Sequence, residues 1–181
     1  MRRLSLLVLL VLLAFIAPAA AQVPGNDEAS KQLALKIARD WLQDNTAYKQ
    51  IPDIQSWIVL SDDQMVARGR DLPGRTDVPG FIYSCGANRL YVQHRMNYLD
   101  PAALSLLVHE LTHHAQCLAR LPMNDICAVE REAYLNQQAF VRWLQARLAA
   151  AGHPLGPEVE QFARGINPLI DRVCAATRKP N

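Results

Sequence analysis

Leu104–Cys117 reads LSLLVHELTHHAQC, and the interpretation of the whole chain turns on this stretch. Within it His109, Glu110 and His113 form the pattern HExxH. Five histidines and six glutamates in 181 residues would produce this pattern by chance in about 0.4% of such chains. At about 100° per residue, Leu104, Leu107, Val108, Leu111, Ala115 and Leu118 cluster within a sector roughly 100° wide, the signature of an amphipathic helix. His109 and His113 fall roughly opposite that sector, one turn apart, with about 5–6 Å between their Cβ atoms. Two imidazoles so placed can hold one zinc ion at roughly 2.0–2.1 Å each. Glu110 projects beside them, where it can take a proton from water that the metal activates. The helix is therefore expected to pack one side into the core and to offer the other to a metal. His114 sits near the edge of the apolar stripe and reads as a packed or supporting histidine.

Asp100-Pro101 starts this helix, since Asp caps free backbone N–H groups and Pro fits the first turn. Leu121-Pro122 ends it, and a second long helix is expected from about Asn124 to Ala150. Ile126, Val129, Ala133, Phe140, Val141, Leu144 and Leu148 form its inward face, and Gly152 and Pro154 stop it. Pro157–Ala163 and Pro168–Ala176 read as two shorter helices.

Upstream, Asp27–Asp44 reads as a helix with Ala34, Ile37, Ala38, Trp41 and Leu42 on one stripe. Ser56–Leu60 (SWIVL) is a short strand, and Ser61-Asp62-Asp63-Gln64 a capping box that opens a turn of helix through Ala67. Gly69–Gly80 is a long loop that could border a cleft. Gly80–Ser84 and Arg89–Gln93 form a β-hairpin, with Gly86 and Asn88 supplying the turn chemistry. Trp41, Trp57 and Trp143 read as core aromatics. The fold class expected is α+β with helices dominant, a small hairpin or short sheet beside them.

A catalytic zinc site wants a third protein ligand and an open position. The acids available in the next helix are Glu130 and Glu132, about 200° apart around its axis, so only one is expected to face inward. Glu130 lies about 40° from the centre of the apolar stripe and Glu132 about 120° away. An acid on an apolar face is costly to bury without a cationic partner, and a zinc ion is such a partner. Glu130 is therefore the expected third ligand, with Glu132 pointing to solvent or to a supporting donor. Gln116, Gln137 and Tyr134 read as structural.

His109-Glu110-Leu111-Thr112-His113 followed by Glu130-Arg131-Glu132-Ala133 resembles the HExxH…ExxA pattern of gluzincin-type zinc metallopeptidases. The chain also resembles small exported bacterial HExxH proteins of unknown function, with an extended HELxHHxQ helix and an ExEAY helix. The second motif is also similar to the ExxAD of membrane-embedded zinc proteases, with Tyr134 here in place of the Asp that usually supports a histidine ligand. The resemblance covers roughly residues 88–140. It implies a zincin-like domain with His109, His113 and Glu130 as zinc ligands and Glu110 as general base. Tyr91, His94, Tyr134 and His153 are candidates for the oxyanion donor that peptide hydrolysis needs. Strand Arg89–Gln93 is a candidate edge for an extended peptide.

Met1-Arg2-Arg3, the uncharged run Leu4–Ala17 and Ala19-Ala20-Ala21 describe a secretory signal peptide over residues 1–21. A single domain of 160 residues, 22–181, would remain, exported to a periplasm or the exterior and without a stable membrane anchor. Its removal takes two arginines and no acid, so the formal charge falls from +2 to zero. No basic patch stands out, and nucleic acid is not an expected partner.

Cys85, Cys117, Cys127 and Cys174 suggest two disulfides, with three possible connectivities. The short loop between Cys117 and Cys127 favours pairing those two, and Cys85 with Cys174. The function expected is zinc-dependent hydrolysis of a peptide or amide, acting on peptides, proteins or cell-envelope material. The alternative is a non-catalytic zinc-stabilised envelope or binding protein that keeps the zincin fold.

Overall fold

A computed structural model describes residues 25, 27–70, 79–153 and 156–177. The expected signal peptide, most of the Gly69–Gly80 loop and Pro154 lie outside the described residues. Asp27 caps the first helix, α1 (Glu28–Asn45), by accepting from Ser30 N–H at 2.7 Å, and Ala34, Ile37, Ala38, Trp41 and Leu42 form its buried stripe. Strand β1 (Ser56–Leu60) leads into α2 (Asp62–Gly69), where the Ser61 and Gln64 side chains cap each other's backbone N–H groups as the sequence predicts. Strands β2 (Phe81–Ser84) and β3 (Arg89–Gln93) follow, then α3 (Pro101–Leu118), α4 (Ile126–Ala150) and α5 (Pro157–Thr177). The fold is α+β with helices dominant.

The three strands run in the order β1-β3-β2, with β1 parallel and β2 antiparallel to β3. This corrects one expectation. Arg89–Gln93 is the central strand and has no free edge for a peptide, because β1 pairs along its whole length on the side away from β2. The edge that adjoins α3 belongs to β2.

The main core is where α1, α3 and α4 meet the sheet. Leu104, Leu107, Val108 and Leu111 of α3 pack with Trp41 and Leu42 of α1, Phe81 of β2 and Phe140 of α4. Trp41 meets Phe140 edge to face at 5.5 Å, an arrangement stabilising beyond the area it buries. A second cluster joins α4 to α5 through Tyr134, Ile166, Ile170 and Val173.

Two boundaries differ from the sequence reading. Ile126 is 38% exposed; it stands at the first position of α4, before the helix enters the core. Pro168 lies inside a continuous α5, not at the head of a second helix. A proline within a helix costs about 3 kcal/mol, and the unbroken stripe Ile166, Ile170 and Val173, all buried against α4, offsets that cost.

The disulfides are Cys85–Cys117 and Cys127–Cys174, not the expected pairing. Helix direction explains it. Helices α4 and α5 pack with the first turn of one beside the last turn of the other, which brings Cys127 to Cys174. The last turn of α3 reaches the β2–β3 turn, which brings Cys117 to Cys85. Proximity of Cys117 and Cys127 along the chain does not outweigh the directions in which their helices present them. Closing a loop across 32 residues contributes about 3–4 kcal/mol by chain entropy. Changing Cys85 and Cys117 together to Ser is expected to cost that much in urea unfolding, while a cost below about 1 kcal/mol would mean that the bond restrains nothing.

Two disulfides fit an oxidising, extracytoplasmic compartment. Among the described residues no helix is long and apolar enough to cross a membrane.

Candidate metal centre

Helix α3 starts where Asp100 accepts from the N–H groups of Ala102 and Ala103, with Pro101 in the first turn. This phases the helix so that His109 and His113 share one face. That face is not open, as the sequence suggested it would be. Helix α4 covers it, leaving the side chains of His109 and His113 only 3% and 12% exposed.

Glu130, from the second turn of α4, enters between the two rings. His109 Nε2 lies 3.4 Å from Glu130 Oε2, His113 Nε2 lies 3.4 Å from Glu130 Oε1, and the two Nε2 atoms are 3.1 Å apart. Among the described residues these three side chains form the one group of histidine, cysteine or acidic residues that could hold a metal ion. The distances allow a direct test of fit. An ion bound tetrahedrally at 2.0–2.1 Å keeps neighbouring donor atoms about 3.3–3.4 Å apart, close to what is observed. Two imidazole lone pairs and a carboxylate converging away from water also demand a cation.

A proton meets that demand when no metal does. Burial opposes charge on His113, but hydrogen bonding and proximity to Glu130, with a smaller contribution from Glu110, outweigh it and push the imidazole up to about 9. Burial likewise opposes charge on Glu130, yet the two histidines hold its carboxyl well below the usual carboxylate range.

The sign follows from both members of the pair. His113 is raised from 6.5, so its contribution to stability is complete below about pH 6.5 and is lost as the pH climbs through about 9. Glu130 is depressed from 4.5, so its contribution is present above 4.5 and is lost on acidification. The same ion pair underlies both. The chelator-treated protein is therefore expected to show its highest urea midpoint between about pH 5 and 6.5 and a decline toward pH 9. A midpoint flat from pH 6 to 9 would contradict the pairing.

Glu110 is 4% exposed and lies under the sheet edge, where Tyr83 N–H of β2 donates to its Oε2 at 2.6 Å. The backbone of β2 thus fixes one oxygen of the expected base. His114, fully buried, hydrogen-bonds the Tyr83 hydroxyl through Nδ1 (2.8 Å) and donates from Nε2 to Pro52 O (2.9 Å). Burial pushes it down from its ordinary value, so it is a neutral strut between α3, β2 and the segment before β1.

Glu132 is not left to solvent. It accepts from Tyr48 Oη–H at 2.9 Å and from Gln116 Nε2 at 2.9 Å. Gln116 in turn accepts from His113 Nδ1–H through Oε1, at 2.9 Å. Of the two places expected for it, Glu132 takes the supporting donor, while Glu130 alone of the two acids joins the group that could hold a metal. Tyr134, read as structural, packs its ring on His109 with centroids 4.4 Å apart.

The remaining oxyanion candidates stand elsewhere. Tyr91 packs with Met65 and Ile82 beneath Arg68, and His94 faces Asp62. His153 follows the end of α4, about 30 Å along the helix from Glu130. A polar groove of about 480 Å³ between α4 and α5, lined by Gln138, Arg142, Glu160 and Arg164 among others, includes none of the metal-site residues.

Gln116 was findable in the sequence, since it lies three residues beyond His113 on the same helical face. Tyr83 and Tyr48 were not, because nothing in their neighbourhood announces a partner 27 or 84 residues away.

Fold and site together define a helix-dominated α+β protein with a two-histidine, one-glutamate cluster able to hold a metal ion. Comparison with known proteins finds no matching family model, no matching curated protein and no matching solved structure.

Proposed function

We propose that the protein is an exported zinc-dependent peptidase or amide hydrolase of gluzincin type, periplasmic or secreted, acting on peptides or cell-envelope material. The observation that carries this reading is the convergence of His109, His113 and Glu130, with Glu110 beside the two histidines on their helix. Two imidazoles and one carboxylate are a donor set suited to zinc and leave a position for water or substrate. Bound there, zinc would make water acidic enough to lose a proton near neutral pH and would polarise a substrate carbonyl. His109, His113 and Glu130 would hold it. Glu110 would receive the proton on a carboxylate oxygen, with Oε2 steadied by Tyr83 N–H. Helix α4 and Tyr134 exclude bulk water from the His109 side.

One observation favours a second reading, a metal-stabilised binding or envelope protein without turnover: His109 and Glu110 are only 2% and 4% exposed. Digestion of a proteome-derived peptide library decides between them. The first reading expects cleavage by the zinc-loaded protein, abolished by a chelator and by Glu110→Gln. A wild-type protein that carries zinc and cleaves nothing supports the second.

A further inference from the structure

We infer that Gln116 is a positioning residue for the metal, setting the tautomer and ring orientation of His113, and that Glu132 and Tyr48 lock it in that role. The inference rests on the metal-site reading above and deepens it.

The amide of Gln116 is fully buried, and each end is committed. Its Nε2 donates to Val129 O at 3.0 Å and to Glu132 Oε2 at 2.9 Å, and both partners are acceptors only. The carbonyl end must therefore face His113, where Oε1 lies 2.9 Å from Nδ1. An amide oxygen cannot donate, so the proton of that bond belongs to His113 Nδ1. The lone pair of the neutral ring is thereby assigned to Nε2, the atom 3.4 Å from Glu130 and 3.1 Å from His109 Nε2.

Reversing the amide would set its NH₂ against His113 and its oxygen against a carboxylate and a carbonyl. Glu132 forbids this, and the Tyr48 hydroxyl at 2.9 Å holds Glu132 in place. A chain of four side chains, from the end of α1 through α4 to α3, thus fixes which nitrogen of His113 is offered to a metal.

The two histidines are held by different means. Among the described residues His109 Nδ1 is buried without a hydrogen-bond partner, and the His109 ring packs on Tyr134. Orientation by hydrogen bonding acts on His113. Partners of this kind change metal affinity by about 10–100-fold when removed.

The test measures Zn²⁺ affinity of the disulfide-bonded protein by competition with a chromophoric chelator, alongside the melting temperature of the metal-free form. Gln116→Met keeps the volume and removes the acceptor; it is expected to weaken Zn²⁺ binding by about 10–100-fold. Wild-type affinity in this variant would overturn the inference.

Because Gln116→Met also strips Glu132 of a donor and could unfold the chain, a second variant exchanges the two groups. Gln116→Glu with Glu132→Gln keeps an acceptor against His113, a donor from position 132 and the net charge, and gives up only the bond to Val129 O. Recovery of affinity to within about threefold of wild type is expected. A folded double variant that binds as weakly as Gln116→Met would overturn the assignment. Wild-type protein that binds no Zn²⁺ would instead remove the metal-site reading itself.

Discussion

Glu110→Gln is expected to lower peptide hydrolysis by about 10²–10⁴-fold, the usual contribution of a positioned general base, while leaving metal content at the wild-type level. Glu110 differs in kind from the three converging side chains: it is not part of the group that could hold the ion. Its Oε2 is engaged by Tyr83 N–H at 2.6 Å. Glutamine has nearly the same volume, and its amide oxygen can accept that same N–H, so the buried site stays filled and its backbone donor satisfied. The change removes basicity and the smaller contribution that the Glu110 charge makes to His113. Loss of turnover with zinc retained and the melting temperature preserved within a few degrees assigns the proton to Glu110. Turnover surviving at more than about a tenth of wild type would require another base.

Removing a ligand should have the second largest effect. Four-coordinate structural zinc sites are worth about 10–16 kcal/mol, or roughly 2.5–4 kcal/mol per ligand, so His109→Ala or Glu130→Ala is expected to weaken zinc binding by about 10²–10³-fold. Glu130 is the more informative of the two, because it is the proposed ligand that helix phase selects and HExxH does not contain. Its loss also takes away the carboxylate that pushes His113 up to about 9. The metal-free Glu130→Ala protein should therefore lose the alkaline decline in stability expected of wild type. A variant that keeps both wild-type zinc affinity and that decline would show that Glu130 pairs with neither ring.

Much of this was legible in the sequence for definite reasons. Ser61 and Asp100 announce their helices through side chains that cap them, which is local chemistry. The turn of α3 that carries His109 and His113, and the preference for Glu130, follow from helix period alone. What the sequence hid depends on how elements meet. The pairing Cys85–Cys117 and Cys127–Cys174 follows from helix directions, and the central place of β3 from its parallel pairing with β1. Helix period found the face of α3 that bears the histidines, but only packing shows that α4 closes over it. Pro168 was misread because its local rule favours a helix start, whereas a buried stripe on α5 carries the helix through it. The support from Gln116, Glu132 and Tyr48 joins three separate stretches of chain, and only the first of them lay within reach of the motif.

The most direct test of the account is the metal content of the purified, disulfide-bonded protein, measured by elemental analysis after zinc loading and extensive dialysis. One zinc per chain in wild type and in Glu110→Gln, with none retained in His109→Ala, is the predicted result. Wild-type protein that retains no zinc, or His109→Ala that retains as much as wild type, would contradict the metal site on which the proposed function stands.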